Sequence, residues 1–424
     1  MGVYFIGLRL CLVGEIKKGV GEMRYLYGLV RNRPGMFCGA VALYAVFALT
    51  TLNLSLCGHG QAEEITIFPD DERSDITPQA STSETSVWAW GENGYGQLGI
   101  GSIVDRKRPV KILRLKDVVD IATGAEYCFA LKSDDTVWAW GSNSEGQLGI
   151  GTTTPSRARV PVKVKTMSGV IDIACNDRES YFVKSDGTVY ACGYNSAGLL
   201  GIGTYDDKTT PVKISSLSSV DYVSPSLYHC MALQSDGTVW AWGGIEGVID
   251  YGITPVKVSG LPYQNIIDIS CGLNYSLALA KDGEVLAWGN NVNGLLGTST
   301  GNISTPTRIK DFRNVVDIAS GLYFNLALKS DGTVWAWGDG QYGQLGIGTT
   351  TDKTTPVKIS GLSNIVDIAC GYSHSLALKD DGTVYAWGDN SAGELGIGTT
   401  TTQLTPVQIR EVNRVRPSYF NYQI

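Results

Sequence analysis

The stretch "VWAWGDGQYGQLGIG", Val334–Gly348, is rich in glycine and tryptophan. It spells G-x-G-x-x-G directly after an apolar run, which is the pattern of a dinucleotide-binding loop. Such a loop needs a helix that opens at the last glycine and an acidic residue about twenty positions further on. Here the chain continues with more glycines, a threonine run and a proline, as "QLGIGTTTDKTTPVKI". These residues do not favour the start of a helix.

The same stretch recurs seven times. The closing glycines of the pattern V-[WYL]-A-[WC]-G lie 50, 52, 50, 46, 49 and 50 residues apart. The copies are Val87–Gly91, Val137–Gly141, Val189–Gly193, Val239–Gly243, Val285–Gly289, Val334–Gly338 and Val384–Gly388. A cofactor loop is needed once per site, whereas a period near fifty is typical of units that stack on their neighbours. The pattern therefore predicts a repeat architecture, with no nucleotide site and no cofactor.

One repeat is predicted to form four short strands. In residues 364–409, Asp381-Gly382 separates two alternating runs, which is a strong hairpin signal. The last run, Thr405–Ile409, carries a proline, which lacks an N–H and is confined to edge strands or strand starts. Four antiparallel strands per repeat, seven times over, predict an all-β, seven-bladed β-propeller of about 50-residue repeats.

The tryptophans of these repeats are predicted to pack between blades. Trp and Ala alternate in "TVWAWG", so one face of each sheet is aromatic and the other is small. A sheet between two neighbours needs apolar side chains on both faces. The alternative, an aromatic cage for a ligand, is disfavoured because the indoles repeat at the same spacing. They include Trp88, Trp90, Trp138, Trp140, Trp240, Trp242, Trp335 and Trp337.

The two ends of the repeat region are predicted to close the ring. The first repeat begins at its third strand, at Val87, and lacks the first two. Within the C-terminal segment Val412–Ile424, the stretch Val412–Tyr419 aligns with the opening strand of another repeat, Val220–Tyr228. We therefore expect the C-terminal strands to pair with the N-terminal repeat and to complete its blade.

Residues 1–62 have the features of an export signal. Arg31 and Arg33 precede the uncharged run Met36–Leu56, and the small residues Gly60 and Ala62 precede Glu63, where cleavage is expected. The alternative is a membrane anchor that is retained.

Further alternatives for this segment are lipid attachment at Cys57 and a true translation start at Met23. The predicted domains are this signal or anchor over 1–62, a linker rich in Ser, Thr, Pro and acidic residues over 63–86, and the propeller over 87–424. We expect a secreted or cell-surface protein that contacts a membrane only through an uncleaved N-terminal segment.

The repeats resemble the regulator of chromosome condensation repeat family. The family's G-x-x-H-x-x-A-L strand and W-G-x-N-x-x-G-Q-L-G loop are best kept in Gly371–Leu378 and Trp387–Gly396. The resemblance spans about 87–424 and implies a seven-bladed propeller, similar to secreted bacterial, alpha-tubulin-suppressor-like members and to the secreted β-lactamase inhibitory propeller. The family also includes exchange factors for a small GTPase and ubiquitin-ligase modules. This sequence lacks the inserted hairpin wedge and the basic tail of the exchange factors.

No catalytic residue is predicted. His229 and His374 occupy one repeat position, which is filled elsewhere by Tyr127, Glu179, Tyr275 and Phe324. A position that accepts phenylalanine is structural, and the third histidine, His59, lies in the signal segment. The chain is therefore predicted not to be an enzyme.

No metal site is predicted either. The Asp-Gly turns offer one or two carboxylates each, where calcium takes six to eight oxygens. Some cysteines of the repeats share one strand-end position, but no two adjacent blades both have a cysteine there, and the others lie inside strands. We therefore expect buried thiols, with neither disulfides nor a zinc site. They are Cys128, Cys175, Cys192, Cys230, Cys271 and Cys370.

The charge distribution argues against nucleic acid as a partner. The net charge is −7, and the residues before Glu63 are basic, so the repeat region is more acidic than the whole chain. An acidic surface repels phosphate. Basic clusters at Arg106–Lys116 and Arg157–Lys165 are predicted to be solvated edges, with contact to an anionic surface as the alternative.

A protein-binding surface is predicted at one end of the ring. The first-to-second and third-to-fourth strand loops of every blade should emerge at the same end and carry tyrosines, which supply contact area at low entropic cost. The predicted binding residues are Tyr95, Tyr127, Tyr228, Tyr275, Tyr323, Tyr342 and Tyr372. The alternative is that these side chains pack between loops.

The function predicted from these features is an exported, non-enzymatic, monomeric propeller that binds a protein or another cell-surface macromolecule. Two alternatives stay open. One is a regulator of the guanine-nucleotide-exchange type for a small GTPase. The other is an enzyme at the ring mouth, which requires a carboxylate cluster that the loop positions are not expected to supply.

Overall fold

The computed structural model describes residues 11–12, 86–113, 115–262, 265–298 and 301–410. Apart from Cys11–Leu12, the predicted signal segment lies outside these residues, as do the linker before Ser86 and the C-terminal segment from Val412 onward. Within the described part, no helix has the length and apolar character needed to cross a membrane.

The described repeats form an all-β propeller with six blades of four antiparallel strands, each in simple sequence order. Blade 1 contains β4 to β7: Val118–Thr123, Tyr127–Lys132, Val137–Ser142 and Arg157–Lys163. Blade 2 contains β8 to β11: Val170–Cys175, Glu179–Lys184, Val189–Gly193 and Lys208–Lys213. Blade 3 contains β12 to β15: Val220–Pro225, His229–Gln234, Val239–Ile245 and Ile249–Lys257.

The second half of the ring repeats this plan. Blade 4 contains β16 to β19: Ile266–Cys271, Tyr275–Ala280, Val285–Gly289 and Ile303–Arg308. Blade 5 contains β20 to β23: Val315–Ser320, Phe324–Lys329, Val334–Gly338 and Lys353–Lys358. Blade 6 contains β24 to β27: Ile365–Cys370, His374–Lys379, Val384–Gly388 and Gln403–Gln408. A single turn of 3-10 helix, Val292–Gly294, is the helical element among the described residues.

A smaller sheet lies between blade 6 and blade 1. It pairs β2, Ser86–Gly91, with β3, Arg106–Lys111, and the two-residue strand β1, Cys11–Leu12, lies on the inner side of β2. Trp90 packs on Leu376 of blade 6, and Val87 packs against blade 1.

The strand that pairs with the inner edge of β2 is not the one that the sequence predicted. The structure places Cys11–Leu12 there, whereas the sequence predicted the C-terminal strands of Val412–Ile424, which lie outside the described residues. Six complete blades are present, and a complete seventh blade stays a prediction.

The tryptophans join each blade to the one before it, as the sequence predicted. The inner tryptophan of the motif is fully buried in six sheets: Trp90, Trp140, Trp242, Trp288, Trp337 and Trp387. Its indole N–H donates to a loop carbonyl of the preceding blade, for example from Trp387 to Gln344 at 2.8 Å and from Trp140 to Gln97 at 2.7 Å. Each of these indoles thus removes apolar area from water, and all of them except Trp288 satisfy a buried carbonyl.

The Asp-Gly turns and the outer strands also follow the sequence prediction. The Asp331 carboxylate accepts hydrogen bonds from the N–H and the hydroxyl of Thr333, at 3.0 and 2.6 Å. Gly332 takes a φ of +75°, which a residue with a side chain adopts only with strain. The fourth strand of each blade, which carries the proline, lies at the outer edge of its sheet.

Blade 3 departs from the common plan where its repeat is shortest. Instead of a glycine-rich loop, β14 and β15 continue as a hairpin to the pair Ile245 and Ile249. The Tyr251 hydroxyl then accepts the indole N–H of Trp288 at 2.9 Å, in place of a loop carbonyl. The missing loop is thus replaced by a side chain that performs the same bonding function.

Candidate binding surface at the tyrosine end

The loops after the first and third strands of each blade meet at one end of the ring, which we call the tyrosine end. A backbone hydrogen bond joins the two loops within each blade. It runs from Ser142 N–H to the Glu126 carbonyl at 2.9 Å in blade 1, and from Asp389 N–H to the Ser373 carbonyl at 2.9 Å in blade 6. The predicted placement of both loop types at one end is therefore confirmed.

Three of the seven predicted tyrosines are well exposed at this end. Tyr228, Tyr323 and Tyr342 have 48%, 42% and 44% of their surface accessible. Tyr95 and Tyr372 are partly buried. The binding role of these five tyrosines stays a prediction.

Tyr127 and Tyr275 are fully buried, so the expectation that they are exposed is wrong. The Tyr127 hydroxyl donates to the Glu179 carbonyl of blade 2 at 2.7 Å. The Tyr275 hydroxyl reaches the Phe324 carbonyl of blade 5 at 2.7 Å. They occupy the last position of the G-x-x-Y loop, whose side chain turns toward the next blade rather than toward solvent.

A cavity opens at the ring axis of the tyrosine end. Its volume is about 20 Å³, which is room for about one water molecule, and its lining includes one loop-centre residue from each of blades 2 to 6. These residues are Asp177, Leu227, Leu273, Leu322 and Tyr372. The lining is thus apolar or aromatic on the side of blades 3 to 6 and acidic on the side of blade 2.

Three carboxyl groups of blades 1 and 2 lie close together near this cavity, which Asp177 lines, and the sequence did not predict such a cluster. Burial and the charge of Asp177 raise the pKa of Glu126, whose carboxylate accepts hydrogen bonds from Ser142 and Tyr95. Burial and Asp177 also raise the pKa of Glu179 to about 8, so this fully buried side chain is mostly protonated at neutral pH. The signal was present in blade 2, where "NDRE" replaces the usual G-x-x-aromatic loop.

Arg178 partly compensates this negative charge. Its guanidinium lies 3.3 Å from the Asp177 carboxylate and 5.7 Å from the centre of the Tyr194 ring. Burial nonetheless keeps the pKa of Asp177 above its ordinary value. The acidic side chains near the cavity therefore belong to blades 1 and 2.

The two histidines of the repeats lie in the interior. His229 contacts the hydroxyls of Ser226 and Ser276 at 3.0 and 2.8 Å, which ties blade 3 to blade 4. Burial lowers the pKa of His229 to about 3 and that of His374 to about 4, so both are neutral at physiological pH. The structure thus places them as packing and bridging residues.

The six cysteines of the repeats are buried, as expected for small apolar side chains. Cys192 stands where other blades carry the inner tryptophan and packs in the interface of blades 1 and 2. Among the described residues, no three His, Cys, Asp or Glu side chains are arranged to hold a metal ion.

Comparison with protein families agrees with the repeat pattern. The regulator of chromosome condensation (RCC1) repeat matches residues 85–131, 134–183 and 186–233, and the RCC1-like domain matches 249–420. The chain belongs to the RCC1 repeat family. Membership accounts for the repeated glycine-rich loops but does not assign a partner.

Sequence relatives cover only parts of this chain. It is 31% identical over 152 residues to the human E3 ubiquitin-protein ligase HERC2, which is 35% of this chain and 3% of HERC2. It is 29% identical over 234 residues to the ultraviolet-B receptor UVR8 of Arabidopsis thaliana, which is 51% of this chain and 52% of UVR8. The matched part of this chain thus spans about half the length of UVR8 and a far smaller share of the length of HERC2.

Solved structures support the fold. Prp20p from Saccharomyces cerevisiae superposes with a TM-score of 0.70 at 24% identity, covering 78% of this chain and 87% of Prp20p. Human WBSCR16 superposes with a TM-score of 0.70 at 23% identity, covering 76% and 94%. At these identities the likeness shows the propeller fold alone.

Proposed function

We propose that this chain is an exported, non-enzymatic propeller that binds a protein partner through the tyrosine end. The observation that carries the proposal is the exposure of Tyr228, Tyr323 and Tyr342 on loops held by backbone hydrogen bonds. Exposed tyrosines on pre-organised loops supply contact area with little entropy to lose on binding.

The relatives favour a protein as the partner class. The structure report for yeast Prp20p names its binding to Gsp1p and histones, and a second report describes yeast Prp20 bound to Kap60. We carry over only the class of partner. Export, cleavage before Glu63 and completion of a seventh blade by Val412–Ile424 belong to the same proposal and depend on the sequence features of those segments.

The binding test uses the exported full chain and a variant in which Tyr228, Tyr323 and Tyr342 are changed to serine. Both are cross-linked in the native host, and the captured proteins are quantified by mass spectrometry. Loss of each central interface tyrosine costs about tenfold in affinity when it contributes ~1–2 kcal/mol. We therefore expect the true partner to fall by more than about tenfold in the triple variant.

The control is Leu113→Ser, because Leu113 is 80% exposed and lies in the connection from β3 to β4, which is not one of the loops that form the tyrosine end. Capture equal in all three proteins would refute binding through the tyrosine end. The exchange-factor alternative requires the chain to stay inside the cell, so recovery of the chain from the cytoplasm, and not from the cell surface or medium, would favour that alternative over ours.

A further inference from the structure

The outer strands of the smaller sheet and of blade 1 carry cations at one shared repeat position. A glycine of the preceding loop packs directly on the backbone of Lys107 in β3 and of Arg159 in β7, and both side chains are exposed. In blades 2 and 5 the equivalent glycine packs on Thr209 and Thr354. A neutral residue thus serves the contact between blades equally well, so this contact does not require the two cations.

An exposed apolar pair lies between these two cations. Ile103 and Val104, in the loop from β2 to β3, are 42% and 59% exposed. The N–H of Gly101, two residues before Ile103, donates to the Arg159 carbonyl at 2.8 Å. Lys107 follows Val104 by three residues in the chain. The apolar pair is therefore held at the outer rim between cations of two neighbouring sheets.

The positive charge of this rim is not neutralised by the described part of the chain. The guanidinium of Arg157 donates to a loop carbonyl at 3.0 Å, and a neutral acceptor does not compensate its charge. Among the described residues, no carboxylate forms an ion pair with Lys107, Arg157 or Arg159. The carboxylate of Asp105 accepts the Asn93 N–H at 2.8 Å, so it is directed into its own loop.

Cations around exposed aliphatic side chains fit the surface of a membrane that contains anionic lipids. The phosphate headgroups attract Lys and Arg, and aliphatic side chains enter the boundary between headgroups and acyl chains. A soluble polyanion would attract the same cations but would gain little from Ile103 and Val104. The exposed apolar pair therefore favours a lipid surface over a polyanion in solution.

We propose that a basic rim binds the surface of a membrane that contains anionic lipids. The basic rim consists of Ile103, Val104, Lys107, Arg108, Arg157 and Arg159. This inference goes beyond the proposed function, because the basic rim includes none of the tyrosines of the protein-binding surface. It also adds a second membrane contact, since the sequence predicted contact only through an uncleaved N-terminal segment.

The test is co-sedimentation of the exported full chain with vesicles of phosphatidylcholine, either alone or with about 30% phosphatidylglycerol. We expect binding to the anionic vesicles to be more than about tenfold stronger at low salt, and to weaken at high salt because salt screens the headgroup charge. A retained N-terminal segment would bind both kinds of vesicle, so the difference between them reports on the basic rim.

Blade 5 supplies matched substitutions, because its residues 350–355 read "TTDKTT" where the equivalent loop at the basic rim reads "IVDRKR". The charge variant Lys107→Thr, Arg159→Thr should bind the anionic vesicles more than about tenfold more weakly. The apolar variant Ile103→Thr, Val104→Thr should bind them about three- to tenfold more weakly, because it keeps the cations and loses the aliphatic contact.

The control Lys353→Thr, Lys358→Thr removes the same charge from the outer strand of blade 5 and should bind as the parent does. Thermal unfolding checks that all variants are folded. Equal binding of the parent to both kinds of vesicle, or an equal loss in the control and the charge variant, would overturn the proposal. An apolar variant that binds the anionic vesicles as well as the parent, with inorganic polyphosphate competing, would overturn it in favour of a soluble polyanion.

Discussion

Glu394 is a buried carboxylic acid that limits the stability of blade 6. It occupies a loop position at which three other repeats carry glutamine: Gln97, Gln147 and Gln344. The side chain is fully buried, and one oxygen accepts the Ala392 N–H at 2.9 Å, while the other has no hydrogen-bond partner in the described structure. Burial, together with the charge of Asp389, raises its pKa to about 7, despite hydrogen bonds from the backbone.

This raised pKa makes stability depend on pH. The folded state holds the proton more tightly than the unfolded state, whose pKa is 4.5, so the stability contributed by protonated Glu394 is fully present below about pH 4.5. It is lost as the pH rises through about 7. At ~1.36 kcal/mol per pKa unit, the loss is ~3 kcal/mol.

The variant Glu394→Gln should remove this penalty. In blade 5 the equivalent Gln344 amide donates to the Asp339 carboxylate at 3.3 Å, and the new amide would face Asp389 in the same way. We expect the free energy of unfolding to exceed that of the parent by ~2–3 kcal/mol at pH 8 and by well under ~1 kcal/mol at pH 4.5.

Urea denaturation followed by tryptophan fluorescence at both pH values measures this difference. The matched control is the reverse change Gln344→Glu, which should destabilise blade 5 at pH 8 and much less at pH 4.5. An advantage of Glu394→Gln that is equal at both pH values would show that the carboxylate does not titrate as the structure requires, and the reasoning would be refuted.

Two further predictions concern the contacts between blades. Gly396 has a φ of +65°, and a Cβ there would lie 2.7 Å from the Trp90 indole nitrogen, whereas Gly361 has a φ of +84° with nothing within 4 Å. Gly396→Ala should therefore cost ~2–4 kcal/mol in unfolding free energy and Gly361→Ala only ~1 kcal/mol, and equal costs would contradict the predicted clash. Trp387→Phe removes the indole N–H that donates to the Gln344 carbonyl at 2.8 Å, so that this carbonyl keeps only the Ser375 hydroxyl, and with the lost packing volume the change should cost ~2–3 kcal/mol by urea denaturation. A loss no larger than that of Tyr385→Phe, at a partly exposed position in the same strand, would show that the indole bond contributes little.

Much of the binding surface could not be predicted from one repeat. Tyr127 and Tyr228 come from equivalent loops and stand one position apart in the repeat register. That single position determines whether the phenol side chain packs against the next blade or is exposed to solvent. The sequence pattern alone did not separate the two positions. Glu126 and Asp177 come from different repeats, so their mutual repulsion depends on the angle between adjacent blades.

The repeat sequence was enough to predict the strands, the Asp-Gly hairpins, the outer position of the proline strand and the packing role of the tryptophans. These features depend on local chemistry: a two-residue side-chain alternation, a turn with positive φ, a missing N–H and a repeated indole. The exposure of individual tyrosines, the meeting of carboxylates from different blades and the burial of Glu394 without a full set of hydrogen bonds could be recognised only in the folded propeller. Those properties depend on the distances between blades. The arrangement of the blades around a common axis sets these distances, and no single repeat contains that information.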